Sequence, residues 1–173
     1  MNKFYYFTIE RKKDEAIIES TEEYDIIKLK RGNFTPNEPF QLKQSEGKVF
    51  YDIVGYQDTA NFAISEKLHT LLKKNNISGW DSYQIEIEGQ TKRYYGFQVT
   101  GRCGELDMPK EAGFYTGYKF DFDTWDKSDF FSPNQTTLLF CTEKVRKLLK
   151  ENKITNTEIE DINAVKTYSI GSS

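Results

Sequence analysis

Apolar and polar positions alternate in several short stretches of this chain, and the period of alternation changes between them. Residues 2–9, Asn-Lys-Phe-Tyr-Tyr-Phe-Thr-Ile, are aromatic and β-branched and read as a strand. Lys48 to Tyr56 carries Val49, Tyr51, Ile53 and Val54 and reads as a second, ending near Gly55. Residues 83–100 read as a hairpin: Tyr83, Ile85 and Ile87 alternate with polar residues, Glu88-Gly89-Gln90 turns the chain, and Tyr95, Phe97 and Val99 alternate on the return. Phe114, Thr116, Tyr118, Phe120 and Phe122 share one face of a further extended run. Residues 10–48 give less: the pairs Ile17-Ile18 and Ile26-Ile27 stand within charge, and Pro36 and Pro39 mark an irregular loop. From Tyr168 onward the chain reads as a frayed tail.

The pattern switches to helical spacing twice, in nearly the same words. Residues 65–77 read Ser-Glu-Lys-Leu-His-Thr-Leu-Leu-Lys-Lys-Asn-Asn-Ile, and residues 142–154 read Thr-Glu-Lys-Val-Arg-Lys-Leu-Leu-Lys-Glu-Asn-Lys-Ile, with seven of thirteen positions identical. Ser65 and Thr142 suit the N-cap, where a hydroxyl accepts from free backbone N–H groups. Glu66 and Glu143 lie at the positive end of the helix dipole, Lys73 and Lys150 near the negative end. Leu68, Leu71 and Leu72 form one apolar stripe; Val145, Leu148 and Leu149 form its counterpart. Asn75 and Asn152 suit a left-handed terminating residue, after which Ile77 and Ile154 return to the core. An apolar run precedes each copy, Phe62-Ala63-Ile64 and Leu138-Leu139-Phe140. Two similar amphipathic helices, or an internal duplication of a strand–helix module, both produce this pattern. The expected fold is α+β: a mostly antiparallel, aromatic-rich sheet with at least two short capped helices, in one domain over residues 1–173, with 1–47 the part least defined by pattern.

Composition changes the picture in one respect. Apolar residues are 37% and charged residues 29% of the 173, a balance that leans towards disorder, but aromatics supply 15%. Each aromatic buries a large area, and disordered chains are poor in them. The net charge of −3 disfavours sequence-independent binding to nucleic acid, which needs a basic face. Met1 to Phe7 lacks the apolar core of a secretory signal, and no apolar run reaches the length of a membrane span. The expectation is a cytoplasmic protein with no membrane or nucleic-acid partner. In that compartment Cys103 and Cys141 read as two buried thiols rather than a disulfide.

Candidate chemistry is sparse. The one histidine, His69, falls on the flank of the first helix, and its counterpart in the second copy is Arg146, so both read as solvated boundary positions. A single histidine rules out most triads and two-histidine zinc sites. Gly101-Arg102-Cys103-Gly104 follows a strand and reads as a turn or bulge; Cys103 has no evident base beside it. The unusual segment is 120–131, Phe-Asp-Phe-Asp-Thr-Trp-Asp-Lys-Ser-Asp-Phe-Phe. It lacks the ligand spacing and glycine of a calcium loop. Paired carboxylates in it could serve as acid and base of a hydrolase, or an acidic aromatic cleft could hold a small ligand. It could equally be a strand with aromatics inward and aspartates in water. As a surface for a basic macromolecule, its anchors would be Asp121, Asp123, Trp125, Asp126, Asp129 and Phe130. No catalytic residue, metal ligand or cofactor is expected.

Ile64-Ser65-Glu66-Lys67-Leu68, Leu71-Leu72 and Ile77-Ser78-Gly79-Trp80 before a strand, with Trp125-Asp126-x-Ser128-Asp129-Phe130-Phe131 ahead of Thr142-Glu143-Lys144-Val145, resemble a bacterial group. That group is immunity protein family eleven of polymorphic toxin systems, formerly a domain of unknown function. The resemblance covers residues 48–155. It implies a non-enzymatic antidote that binds a cognate protein toxin and blocks its active site; it carries over no catalytic residue.

Overall fold

The computed structural model describes residues 3–107, 110–111 and 114–168. In chain order the elements are β1 (Phe4–Thr8), β2 (Ile17–Ser20), α1 (Ile26–Lys30), β3 (Phe40–Glu46), β4 (Ile53–Tyr56), β5 (Phe62–Ser65), α2 (Glu66–Lys74), β6 (Trp80–Ile87) and β7 (Tyr94–Val99). They continue with β8 (Arg102–Cys103), β9 (Leu106–Asp107), β10 (Lys110–Glu111), β11 (Phe114–Thr116), β12 (Lys119–Phe120), a 3-10 turn (Phe122–Thr124), β13 (Phe130–Pro133), β14 (Phe140–Thr142), α3 (Glu143–Glu151), β15 (Glu158–Asp161) and β16 (Lys166–Tyr168). The fold is α+β, with mostly antiparallel pairing. Strands β2-β3-β6-β7-β5-β4 close into a barrel, and β15-β1-β14-β13-β8 form a five-stranded sheet.

These two assemblies are built on one plan. Ile53 pairs with Ile64 and Val54 with Ala63 in the barrel; Phe130 pairs with Cys141 and Phe131 with Phe140 in the sheet. One constant sequence spacing relates all four positions to their counterparts. Beyond β5 lies β7, with Tyr95 opposite Ile64 and Tyr94 opposite Ser65; beyond β14 lies β1, with Tyr5 opposite Cys141 and Phe4 opposite Thr142. The next pairing also repeats, Gln84 with Tyr95 and Asp161 with Tyr5. Even the parallel edge recurs: β2 meets β4 as Ile17 with Gly55, and β8 meets β13 as Arg102 with Ser132. The internal duplication is therefore a property of the backbone pairing and extends well beyond the helices. The order is permuted: the strand completing the second copy is β1, from the opposite end of the chain.

The copies share a central core. Ile53 and Phe130, Ile64 and Cys141, Leu68 and Val145, Leu72 and Leu149, Ile77 and Ile154, and Phe97 and Phe7 are pairs of equivalents, all buried in one cluster. Rings from both copies interlock there: Phe62 stacks on Phe97 at 4.8 Å, and Phe130 meets Phe7 and Phe97 edge-on. Each copy also has its own outer cluster, around Tyr56 and Tyr83 in the barrel and around Phe131 and Phe140 in the sheet.

Both nine-residue helices are too short to persist alone in water. Their apolar stripes and ends hold them. Ser65 accepts from the Leu68 N–H at 3.2 Å, as expected of a cap. Thr142 does not: its hydroxyl donates to Asp129 instead, so the N-cap expectation holds for one copy only. The C-terminal expectation shifts by one residue in both. Asn75 and Asn152 have φ of −96° and −93°, and their side-chain amides donate back to Leu71 O and Leu148 O. The left-handed residues are Asn76 (φ 49°) and Lys153 (φ 50°). Ile77 N donates to Leu72 O and Ile154 N to Leu149 O, the 6→1 bond of a Schellman ending.

Other expectations change as well. In 48–56 only Ile53–Tyr56 is a strand, because Asp52 is diverted into a cap network. The alternating face over 114–122 breaks at Gly117 (φ 71°), and Phe122 leaves the sheet in the 3-10 turn; the Phe114 side chain and the tail 169–173 lie outside the described residues. Residues 10–48, unreadable by pattern, hold β2, α1 and β3. The Gly101–Gly104 segment is a short parallel strand, not a turn. Gly79 and Gly101 both press against the Phe130 carbonyl, where a Cβ would come within 1.8 and 2.0 Å.

Candidate functional site

The acidic aromatic segment divides into a buried part and a displayed part. Trp125 is 9% exposed, packs edge-on against Phe4 at 4.8 Å, and donates from Nε1 to Ser128 O. Phe130 is 2% exposed in the central core. The expectation that these two are docking anchors is corrected: an aromatic that fills a core has no face left for a partner. Asp126 is a loop former. Its Oδ2 accepts from Arg102 N at 2.7 Å and its Oδ1 from Ser128 N at 2.9 Å.

Asp129 is structural too, and its duplicate shows why. Asp129 Oδ1 accepts from the Thr142 hydroxyl, and Oδ2 accepts from Ser78 N, the Ser78 hydroxyl and Lys144 Nζ at 2.9 Å. Asp52 Oδ1 accepts from the Ser65 hydroxyl, and Oδ2 accepts from Thr155 N and the Thr155 hydroxyl, with Lys67 Nζ at 3.5 Å. Asp52 belongs to the first copy and grips the residue after the second helix; Asp129 does the converse. The carboxylates thus form a reciprocal pair of latches. Burial pushes both carboxyls up, but these donors outweigh it and hold both below the usual range.

What remains displayed is the 3-10 turn. Asp121 caps it, accepting from Asp123 N at 3.0 Å, and both carboxylates are exposed. Between them Phe122 is 50% exposed, stacked on Phe4 at 5.6 Å and tilted against Phe120 at 5.2 Å. Sequence reasoning passed over Phe122 because alternation placed it inward with Phe120. A cavity of about 430 Å³ adjoins it, lined by Lys3, Phe4, Tyr118, Phe120, Phe122 and Ile162.

The titratable side chains with chemical potential are engaged elsewhere. His69 is half-buried, stacks on Tyr95 at 3.9 Å and shares a hydrogen bond with Ser82 at 3.1 Å; burial, then Lys73, lowers its pKa. Its duplicate Arg146 lies 4.9 Å from the Tyr5 ring, and Tyr5 is the counterpart of Tyr95. The pair thus does the same work, covering a tyrosine beside the helix, rather than standing free in solvent. Cys103 and Cys141 are both free and buried. Burial pushes the Cys103 thiol up to about 12 and Cys141 up as well, so neither is a thiolate at neutral pH. Among the described residues no three His, Cys, Asp or Glu side chains gather as a metal site, and no helix is long and apolar enough to cross a membrane. No protein-family model matches the chain, and no curated protein matches it.

Proposed function

We propose that this chain is a non-enzymatic immunity protein that binds a cognate bacterial toxin in the cytoplasm and occludes its active site, docking through Asp121, Phe122 and Asp123. The observation that carries the reading is Phe122: half-exposed, packed on Phe4 and Phe120, and bracketed by two exposed aspartates. A packed aromatic loses little entropy on binding, and flanking carboxylates steer a basic partner. The resemblance over residues 48–155 supplies the class of partner.

Co-expression with the product of the adjacent gene should restore growth and give a stable complex on size exclusion. Phe122→Ala should weaken that complex by about 2 kcal/mol, roughly thirtyfold in Kd, while the chain stays folded with only a small fall in thermal midpoint. If no neighbouring product binds, the immunity reading fails; if Phe122→Ala binds as tightly as the parent, the docking face is wrong.

The adjoining cavity favours a second reading, a small-ligand-binding domain. Among the described residues its one lining carboxylate, Asp161, accepts from both the N–H and the amide of Asn163 through Oδ1. A paired acid and base is not assembled there, so this reading is of binding rather than hydrolysis.

A further inference from the structure

A different cavity, of about 280 Å³, opens where the two copies meet. Its walls come from β1, from the loop entering β5 and from the duplicate loop entering β14, with Phe7, Phe62 and Leu139 as apolar surface. Into it projects Lys30, the last residue of α1 and only 2% exposed. The ammonium lies over the face of Phe62 at 4.2 Å and near Phe97 at 5.9 Å. Among the described residues no carboxylate lies within 4.0 Å of it and no acceptor hydrogen-bonds it. The carboxylate whose field reaches it, Asp58, is already occupied: it accepts from Ala60 N, Asn61 N, the Asn61 amide and the Tyr24 hydroxyl.

A buried cation without a counter-ion is costly, and two aromatic faces return only part of that cost. The other lining groups are suited to an anion. Thr59 and Thr137 bring hydroxyls, whereas the Thr8 hydroxyl donates to Glu158 at 3.5 Å, and Arg11 stands at the rim, itself paired with Glu15 at 3.4 Å. The site therefore has one cation with no contacting counter-ion, polar donors and an apolar wall. We propose that this cavity between the copies binds a small organic carboxylate, with Lys30 as its counter-charge. One such cation matches a monoanion, and the wall of Phe7, Phe62 and Leu139 matches a short aliphatic or aromatic body.

The test is titration of the full chain with benzoate and butyrate at pH 6, followed by calorimetry and by NMR of the lysine ε-groups. Saturable millimolar or tighter binding that shifts the Lys30 ε resonances is expected. Lys30→Met keeps the length of the side chain and removes the buried charge, so it should fold, and it should lose at least tenfold in affinity. The wild-type Lys30 resonances give a readout that does not depend on that variant. The proposal is overturned if neither acid binds saturably, if Lys30→Met binds as tightly, or if the shifts centre on Phe122 instead. Inorganic phosphate binding as tightly as benzoate would also overturn it, since phosphate cannot use the apolar wall.

Discussion

Lys30 and the two latch aspartates show how one residue's surroundings fix its chemistry. Burial lowers the Lys30 pKa to about 7, with Asp58 opposing the shift. The folded form then releases its proton well below the unfolded lysine, whose value is near 10.4. Above pH 7 the unfolded state binds more protons, so stability should rise with pH. The window closes near pH 9, where the thiols of Cys103 and Cys141 ionise in the unfolded chain but stay protonated in the folded one. Denaturant midpoints taken from pH 7 to 9 should climb in the parent and stay flat in Lys30→Met; a flat parent curve would show that the amine is not desolvated. The sequence does not show this, because Lys30 follows the pair Ile26-Ile27 in residues 10–48, where no sustained periodicity marks a buried face.

At the scale of elements, sequence pattern succeeded where a motif is local. The two helices, their stripes, the β6–β7 hairpin and β1 follow from spacing and cap chemistry. Some strands of two to four residues did not show, since they are held by partners far along the chain rather than by their own alternation; β8 and β2 are examples. Trp125 and Phe130 were misjudged for the same reason, because a buried aromatic and a displayed one look alike until packing separates them. The helix ends can be tested directly. Lys153 holds φ of 50° where its duplicate is Asn76, and a left-handed lysine costs about 1 kcal/mol. Lys153→Gly should therefore raise unfolding free energy by roughly that amount, whereas the same change at Lys150, inside α3, should lower it by a similar amount. Equal effects at both sites would argue against the Schellman ending.

Across the whole molecule, the two copies hold each other through the shared core and the exchanged carboxylates. Asp52→Asn and Asp129→Asn should each cost about 1–3 kcal/mol, since each replaces the charged acceptor of several hydrogen bonds by a neutral amide. Their folded pKa values are depressed, so the stability they contribute is present above about pH 4, the unfolded carboxyl range, and is lost as pH falls through the lower folded value. Acid unfolding followed by circular dichroism should be shallower in either variant than in the parent. A variant with an unchanged acid limb would show that its latch carries no stability. The duplication was visible in the helices, where seven of thirteen residues persist, and invisible in the strands, where only pairing register persists.

The permuted place of β1 has a consequence for how the protein is made. Phe4 to Thr8 is made before its neighbours β14 and β15, which follow only after β2 to β13. The barrel's strands all lie between Ile17 and Val99 and emerge while most of the second copy is still being translated. The nascent chain therefore carries β1 apolar and unpaired while β2 to β13 are made. Such an edge invites association with other chains, and holding it apart until β14 and β15 emerge is a task that falls to the cell's chaperones.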